Sequence, residues 1–233
     1  MVNLARYSDQ IIPENSAIDI RLLELMKAKA VGTRIAYVPS GPEPDRQFFH
    51  DRKSYYAQYN LDLIWVYDLN ELPSAQQTAD LFGCGAIHLS GGHTAGFLQR
   101  LRSVGMLDPL RNWALQGGIL IGTSAGAILM TPTIAVDALF SDKRPEEVTD
   151  GGALNLLPFE FFPHLNANAG YLTKLMTYSR HTERPIVAVK DGEGVVVTGE
   201  MIECIGNPVW IFQGAIKQAT AIEFADMKVL QKS

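Results

Sequence analysis

The chain has 233 residues, 47% apolar and 19% charged, with a formal net charge of -5. This is a globular composition of single-domain size, not a disordered one. The acidic balance excludes the footprint of a nucleic-acid binder and any pull towards anionic lipid, and no apolar run nears the ~20 residues of a membrane span.

Residues 2–7 read as an outer strand. Asn15 or Ser16 caps a helix through Ile18, Leu22, Leu25 and Met26, apolar at helical spacing, and Gly32 ends it. Residues 33–38 form a strand broken at its carboxyl end by Pro39-Ser40-Gly41-Pro42. A helix over 45–59, a strand over 61–67 and a short helix over 74–81 follow. The strand 86–89 runs into Ser90-Gly91-Gly92-His93-Thr94, and a helix continues through Phe97, Leu98 and Leu101. Another helix, 107–115, leads to the apolar strand Gly118-Ile119-Leu120-Ile121. After a glycine-flanked turn at 122–126, Ala127-Ile128-Leu129-Met130 opens a helix.

Thr131-Pro132-Thr133 breaks the pattern, and the charged stretch 141–150 reads as an exposed loop near the site. An aromatic run, 159–162, ends at Pro163-His164. Residues 168–179 have helical spacing, and 186–189 form a strand. Short antiparallel strands are expected at 195–197, 201–205 and 209–212, joined by Gly199-Glu200 and Gly206-Asn207-Pro208.

The strand–helix alternation of the first half predicts an α/β fold, a mostly parallel sheet covered by helices on both faces, with short antiparallel strands near the C-terminus. Repeats, linkers and boundaries are absent, so one domain over 1–233 is expected. Cys84 and Cys204 share no metal or redox spacing and read as packed thiols. The N-terminal residues lack a signal-peptide layout, and the expected location is the cytoplasm.

Gly122-Thr123-Ser124-Ala125-Gly126 has the strand–turn–helix context of a nucleophile elbow. Such a turn lifts Ser124 to a helix N-terminus, where backbone N–H groups favour a developing anion. A serine hydroxyl needs a base. Of the five histidines, His88 lies within a strand and reads as a packing residue, while His50 and His181 read as surface groups. His93 sits in the glycine turn, a candidate substrate contact. His164, in a loop after an apolar run, is the candidate base. Asp191, at a strand end, is the candidate acid that orients it. Glu193 and Asp137 are the alternatives; in an extended segment Asp191 and Glu193 share a face, so periodicity does not separate them. Ala125 and Gly92, the latter with Gly91 as its neighbour, are the candidate oxyanion donors, worth about 3–4 kcal/mol each in serine hydrolases.

Together these segments resemble the peptidase E family of serine peptidases, the S51 group. Ser90-Gly91-Gly92-His93-Thr94 is similar to its glycine-rich turn, Gly122 to Ala127 to its nucleophile turn, and Pro132-Thr133-Ile134 to the segment after it. Phe162-Pro163-His164 is similar to its histidine segment, and Val187 to Gly192 to its strand ending in an acid and a glycine. The resemblance implies a three-layer α/β/α sandwich like that of class I glutamine amidotransferases, flavodoxin-like in topology. It implies a Ser…His…acid order with Ser124, His164 and Asp191 in those roles; an aspartate between serine and histidine, here Asp137, fits with a small gap.

The family's aspartyl dipeptidases place arginines shortly after the histidine. Here residues 165–178 contain Lys174 and no arginine, and His93 replaces an asparagine of the glycine turn. A strict preference for N-terminal aspartate is therefore not expected. The expectation is a serine peptidase acting on small peptides, with no cofactor or metal, as a monomer or homodimer. The alternatives are a cyanophycinase-like peptidase, an esterase, and a catalytically inactive small-molecule binding protein.

Overall fold

The structure, a computed structural model, describes residues 1–218 and 220–225. Five strands run parallel: β1 (Val2–Tyr7), β2 (Arg34–Val38), β3 (Asp62–Trp65), β4 (Ala86–Leu89) and β5 (Ile119–Thr123). They lie in the order β1-β5-β4-β2-β3, and the sheet extends beyond β1 through antiparallel β8 (Gly194–Gly199), β9 (Met201–Ile205) and β12 (Ala221–Glu223).

The pleat alternates side chains between two cores. Ala5, Ile119 and Ile121 pack under α1 (Ser16–Ala28) and α2 (Gln47–Ala57). Leu4, Ile87 and Leu120 pack under α3 (Ala75–Phe82), α4 (Thr94–Ser103) and α5 (Leu107–Leu115). These residues are fully buried, and Leu120→Ala would cost about 2–5 kcal/mol. Helices on both faces of a mostly parallel sheet are the layers the alternation predicts.

The position of β1 differs from the expectation. It is not an outer strand: it pairs with β5 on one side and β8 on the other, and all six residues are buried. Its polar residues Asn3 and Arg6 are buried with the rest. Asn3 Nδ2 donates to the Gly117 carbonyl at 2.8 Å. Arg6 lies 4.6 Å over the Phe159 ring and 4.9 Å over Phe161, and burial pushes its pKa down to about 9.

A second sheet packs on the α4–α5 side, in the order β11 (Ala215–Lys217), β10 (Val209–Phe212), β7 (Ile186–Ala188), β6 (Glu160–Phe162). The aromatic run at 159–162 is thus a buried strand. The three C-terminal strands do not form one set: β8 and β9 make a hairpin in the large sheet, whereas β10 pairs with β7 in the small one. Gly206 at φ +90° followed by Pro208 turns the chain out of the hairpin. The charged stretch 141–150 is exposed apart from buried Pro145 and half-buried Val148, and carries a 3-10 turn at Pro145–Glu147. Both cysteines are buried and free. Among the described residues no helix is long and apolar enough to cross a membrane.

Candidate active site

Ser124 follows β5 directly and heads the short helix α6 (Ala125–Ile128). Its backbone is held at φ 49°, ψ -109°, a conformation that costs a non-glycine residue about 1–3 kcal/mol. Two hydrogen bonds over-determine it: Ser124 N–H donates to the Tyr7 carbonyl at 3.0 Å and Gly126 N–H to the Ser90 carbonyl at 3.1 Å. The elbow is therefore pinned to β1 on one side and to the end of β4 on the other. Gly126 makes this approach possible, since a Cβ there would sit 2.0 Å from the Leu89 carbonyl oxygen.

The small sheet supplies the other two groups. Strands β6 and β7 are parallel, with Phe162 opposite Ala188, so their carboxyl ends emerge side by side. His164 follows the first end and Asp191 the second. The distances are 2.9 Å from His164 Nε2 to Ser124 Oγ and 2.6 Å from His164 Nδ1 to Asp191 Oδ1. A carboxylate only accepts, so Nδ1 carries the proton and Nε2 presents its lone pair to the serine hydroxyl. Both side chains are about a quarter exposed, at 28% and 26%.

Ser8, fully buried at the end of β1, ties this pair together. Its hydroxyl donates to Asp191 Oδ1 at 2.8 Å and accepts the His164 backbone N–H at 2.7 Å. Asn166 Oδ1 accepts the Asp191 N–H at 2.9 Å. The His164 backbone itself is left-handed, φ 56°. Sequence reading missed Ser8 and Asn166. A polar residue just past a strand, as Ser8 is, carries a signal only once β1 is known to be central.

The alternative acids are placed elsewhere. Glu193 accepts the backbone N–H groups of Lys190 and Asn207, at 2.9 and 3.1 Å. The segment is not extended as expected: Gly192 at φ +85° makes a turn that separates Glu193 from Asp191. Asp137, on the 3-10 turn Ala135–Ser141, accepts from Thr94 Oγ1 at 2.5 Å rather than from the imidazole, and burial raises its pKa. His93 is exposed and caps α4, its Nδ1 accepting the Gly96 N–H at 3.1 Å.

Ser124, His164 and Gly92 border two chambers. The larger, about 580 Å³, opens over the carboxyl ends of β2, β4 and β5, with Tyr37, Glu43, Arg52 and Thr123 in its walls. The smaller, about 260 Å³, is walled by His93, Thr94, Asp137 and Phe140. Phe140 stacks on Phe162 at 4.7 Å and meets the His164 ring edge-on at 6.2 Å. The Gly91 carbonyl accepts from Ser40 Oγ at 2.6 Å and from Ser90 Oγ at 3.1 Å. In a trans peptide the Gly92 N–H then points the opposite way. Gly92 sits at φ +137°, and a Cβ there would lie 2.2 Å from Ser40 Oγ. Among the described residues neither the Gly92 nor the Ala125 N–H has a hydrogen-bond partner. No group of three or more His, Cys, Asp or Glu among those residues is placed to hold a metal.

His88, beneath the larger chamber, is a packing residue. It is fully buried, edge-on to Tyr37 and Tyr56 at 5.6 Å each, with Nε2 3.2 Å from Thr123 Oγ1. Burial, and then the Arg52 charge, lower its pKa to about 3. His50 and His181 are exposed.

The fold and the sequence are similar to those of known proteins. A crystal structure of a peptidase from an acI-B1 Actinobacterium shares the fold with a TM-score of 0.73 at 13% identity, over 96% of this chain and 97% of that one. A Listeria innocua protein named as an uncharacterized peptidase is 29% identical over 141 residues, 58% of this chain and 66% of its own length. A Drosophila melanogaster protein named "probable alpha-aspartyl dipeptidase" is 31% identical over 131 residues, 52% of this chain and 53% of its own length. The matches span about half to two thirds of the length of these curated relatives. Residues 7–205 match peptidase family S51, and the chain belongs to that family.

Proposed function

We propose that this protein is a serine peptidase that hydrolyses small peptides, a dipeptidase of the peptidase E kind. The observation that carries the reading is the unbroken chain Ser124 Oγ, His164 Nε2, His164 Nδ1, Asp191 Oδ1, at 2.9 and 2.6 Å. The family assignment supports hydrolysis of a peptide bond.

In this reading Ser124 Oγ attacks the scissile carbonyl carbon while its proton passes to His164 Nε2. The imidazolium so formed is stabilised by Asp191, which stays ionised. The carbonyl oxygen becomes an anion between the N–H groups of Ala125 and Gly92. Collapse breaks the C–N bond, and Nε2 returns its proton to the leaving amine. A water then gives its proton to Nε2 and attacks the Ser124 ester; the acyl–Oγ bond breaks, the acid leaves, and Nε2 returns that proton to Ser124 Oγ. His93, at the rim of the smaller chamber, is a candidate substrate contact. Two buried free thiols suit a reducing compartment, and we place the enzyme in the cytoplasm.

A library of X-Leu dipeptides, with ester and aspartyl-polymer substrates beside it, tests the reading. Dipeptide turnover that falls by about 10⁴-fold or more in Ser124→Ala, with the melting temperature kept, is the expected result. Undiminished turnover in that variant would overturn it. Turnover confined to esters or to the polymer would replace the dipeptidase assignment with one of those activities.

A further inference from the structure

The larger chamber is lined by three carboxylates and one strong cation. Glu43 is occupied: Oε1 accepts from Tyr37 Oη at 2.6 Å and Oε2 from the Phe49 N–H at 3.1 Å. Asp9 Oδ1 accepts the Gln10 N–H at 2.7 Å, and Asp51 Oδ1 accepts from Gln47 Nε2 at 2.8 Å. Arg52 is the cation, and no other Arg or Lys among the described residues lines either chamber.

Arg52 is half-buried and held in place; it feels the charge of Asp19 without pairing with it directly. Its Nη1 donates to the Gln10 carbonyl at 3.0 Å and to Gln10 Oε1 at 3.3 Å, and its guanidinium lies 5.3 Å over the Tyr55 ring. Among the described residues no carboxylate comes within ion-pair distance of it, and its hydrogen bonds are both made through Nη1, leaving Nε and Nη2 without a partner. That leaves one edge of a planar fork free, the edge that receives a carboxylate through two parallel hydrogen bonds. The anchor is tied to the nucleophile's strand. Gln10 Oε1 also accepts from Thr123 Oγ1 at 2.8 Å, and Thr123 precedes Ser124. An arginine held on one edge and open on the other loses little entropy when a ligand docks.

We propose that Arg52 is a specificity-determining residue that binds a carboxylate of the peptide substrate through its Nε/Nη2 edge, and that the larger chamber therefore takes acidic or carboxyl-terminal substrate ends. The inference rests on the peptidase reading of Ser124. Two sources offer this chemistry: the C-terminal carboxylate of the leaving residue, and an acidic side chain on the acyl residue.

The experiment pairs substrates that differ only in that group: Ala-Leu against Ala-Leu-amide, and Asp-Leu against Asn-Leu. They are assayed with the native protein, Arg52→Met and Arg52→Lys. Native kcat/KM is expected to fall about 10- to 100-fold when the recognised carboxylate is removed, and to fall equally in Arg52→Met, mainly through KM. The two losses should not add. Arg52→Lys, which keeps the charge without the fork, should lie between. The amide pair responding identifies the C-terminus; the Asp/Asn pair responding identifies the side chain. Equal discrimination by native protein and Arg52→Met would overturn the proposal. Calorimetric titration of Ala-Leu and Asp-Leu into Ser124→Ala, with and without Arg52→Lys, reads binding apart from turnover. Binding that Arg52→Lys weakens supports the anchor even where the hydrolysis reading fails. Failure of both peptides to bind, or binding indifferent to Arg52→Lys, refutes the anchor whatever the turnover.

Discussion

Two histidines in this molecule each set Nε2 against a hydroxyl, and the hydroxyls belong to consecutive residues. His88 meets Thr123 at 3.2 Å, and His164 meets Ser124 at 2.9 Å. Their surroundings make them opposites. His88 is enclosed by Tyr37 and Tyr56, its Nδ1 has no hydrogen-bond partner among the described residues, and burial keeps it neutral far below its ordinary range. The Thr123 hydroxyl hydrogen is already donated to Gln10 Oε1 in a hydrogen bond. His164 has a carboxylate on Nδ1, a serine whose proton is directed at Nε2, and a quarter of its side chain in the crevice. A histidine–hydroxyl contact alone is therefore no sign of catalysis. The acid behind the ring and the open space in front of it make the difference.

The comparison breaks most sharply at the imidazole. His164→Ala should lower kcat by about 10⁵-fold or more, whereas His88→Gln should leave kcat within about 3-fold. Steady-state kinetics on a competent dipeptide checks both, and a similar loss in the two variants would contradict the division of roles. The acid comes next. Asp191→Asn preserves shape but presents an amide, and about 10⁴-fold should be lost from kcat. Glu193→Gln and Asp137→Asn should each cost far less, since neither side chain touches the ring; a larger loss from either would reassign the acid.

Ser8 offers a finer test. Ser8→Ala removes one hydrogen bond to Asp191 and one from the His164 backbone, so kcat should fall about 10- to 100-fold with KM little changed. Ser8→Thr should recover most of it. A loss confined to KM, or no recovery by threonine, would leave Ser8 a packing residue.

The smallest effect concerns stability. His88 has a folded pKa of about 3 against an ordinary 6.5. Above pH 6.5 it is neutral in both states. Between 6.5 and 3 the unfolded chain takes up a proton that the folded one refuses, so stability falls as pH falls, by about 1.4 kcal/mol per unit well below 6.5. Asp19 and Glu160 have pKa values raised by burial and act in the opposite sense, favouring the folded state as pH drops. Comparison with His88→Gln cancels them. Urea unfolding of both proteins from pH 7 to 4 should show the native protein losing ground to the variant; parallel curves would mean that His88 is protonated in the fold.

These contrasts also show what the chain reveals before it is folded. The elbow was legible because it is local: glycines at 122 and 126 flank a serine between an apolar strand and a helix. His164 and Asp191 were legible as residues just past strand-like runs. Choosing Asp191 over Glu193 was not, since Gly192 turns a stretch that periodicity treats as extended. The central place of β1 was hidden because its partner β8 lies nearly 200 residues away, at 194–199. Ser8, Gln10 and Arg52 were hidden for the same reason: their partners are fixed by how the two sheets and α2 meet, at sequence separations of 183, 113 and 42 residues.

The central claim is that the Ser124 hydroxyl is activated by the His164–Asp191 pair. Intact-protein and peptide mass spectrometry after reaction with a fluorophosphonate measures it most directly. One adduct per chain on Ser124, absent in Ser124→Ala and in His164→Ala, is the predicted result. A native protein that stays unmodified, or that labels equally well without His164, would contradict it.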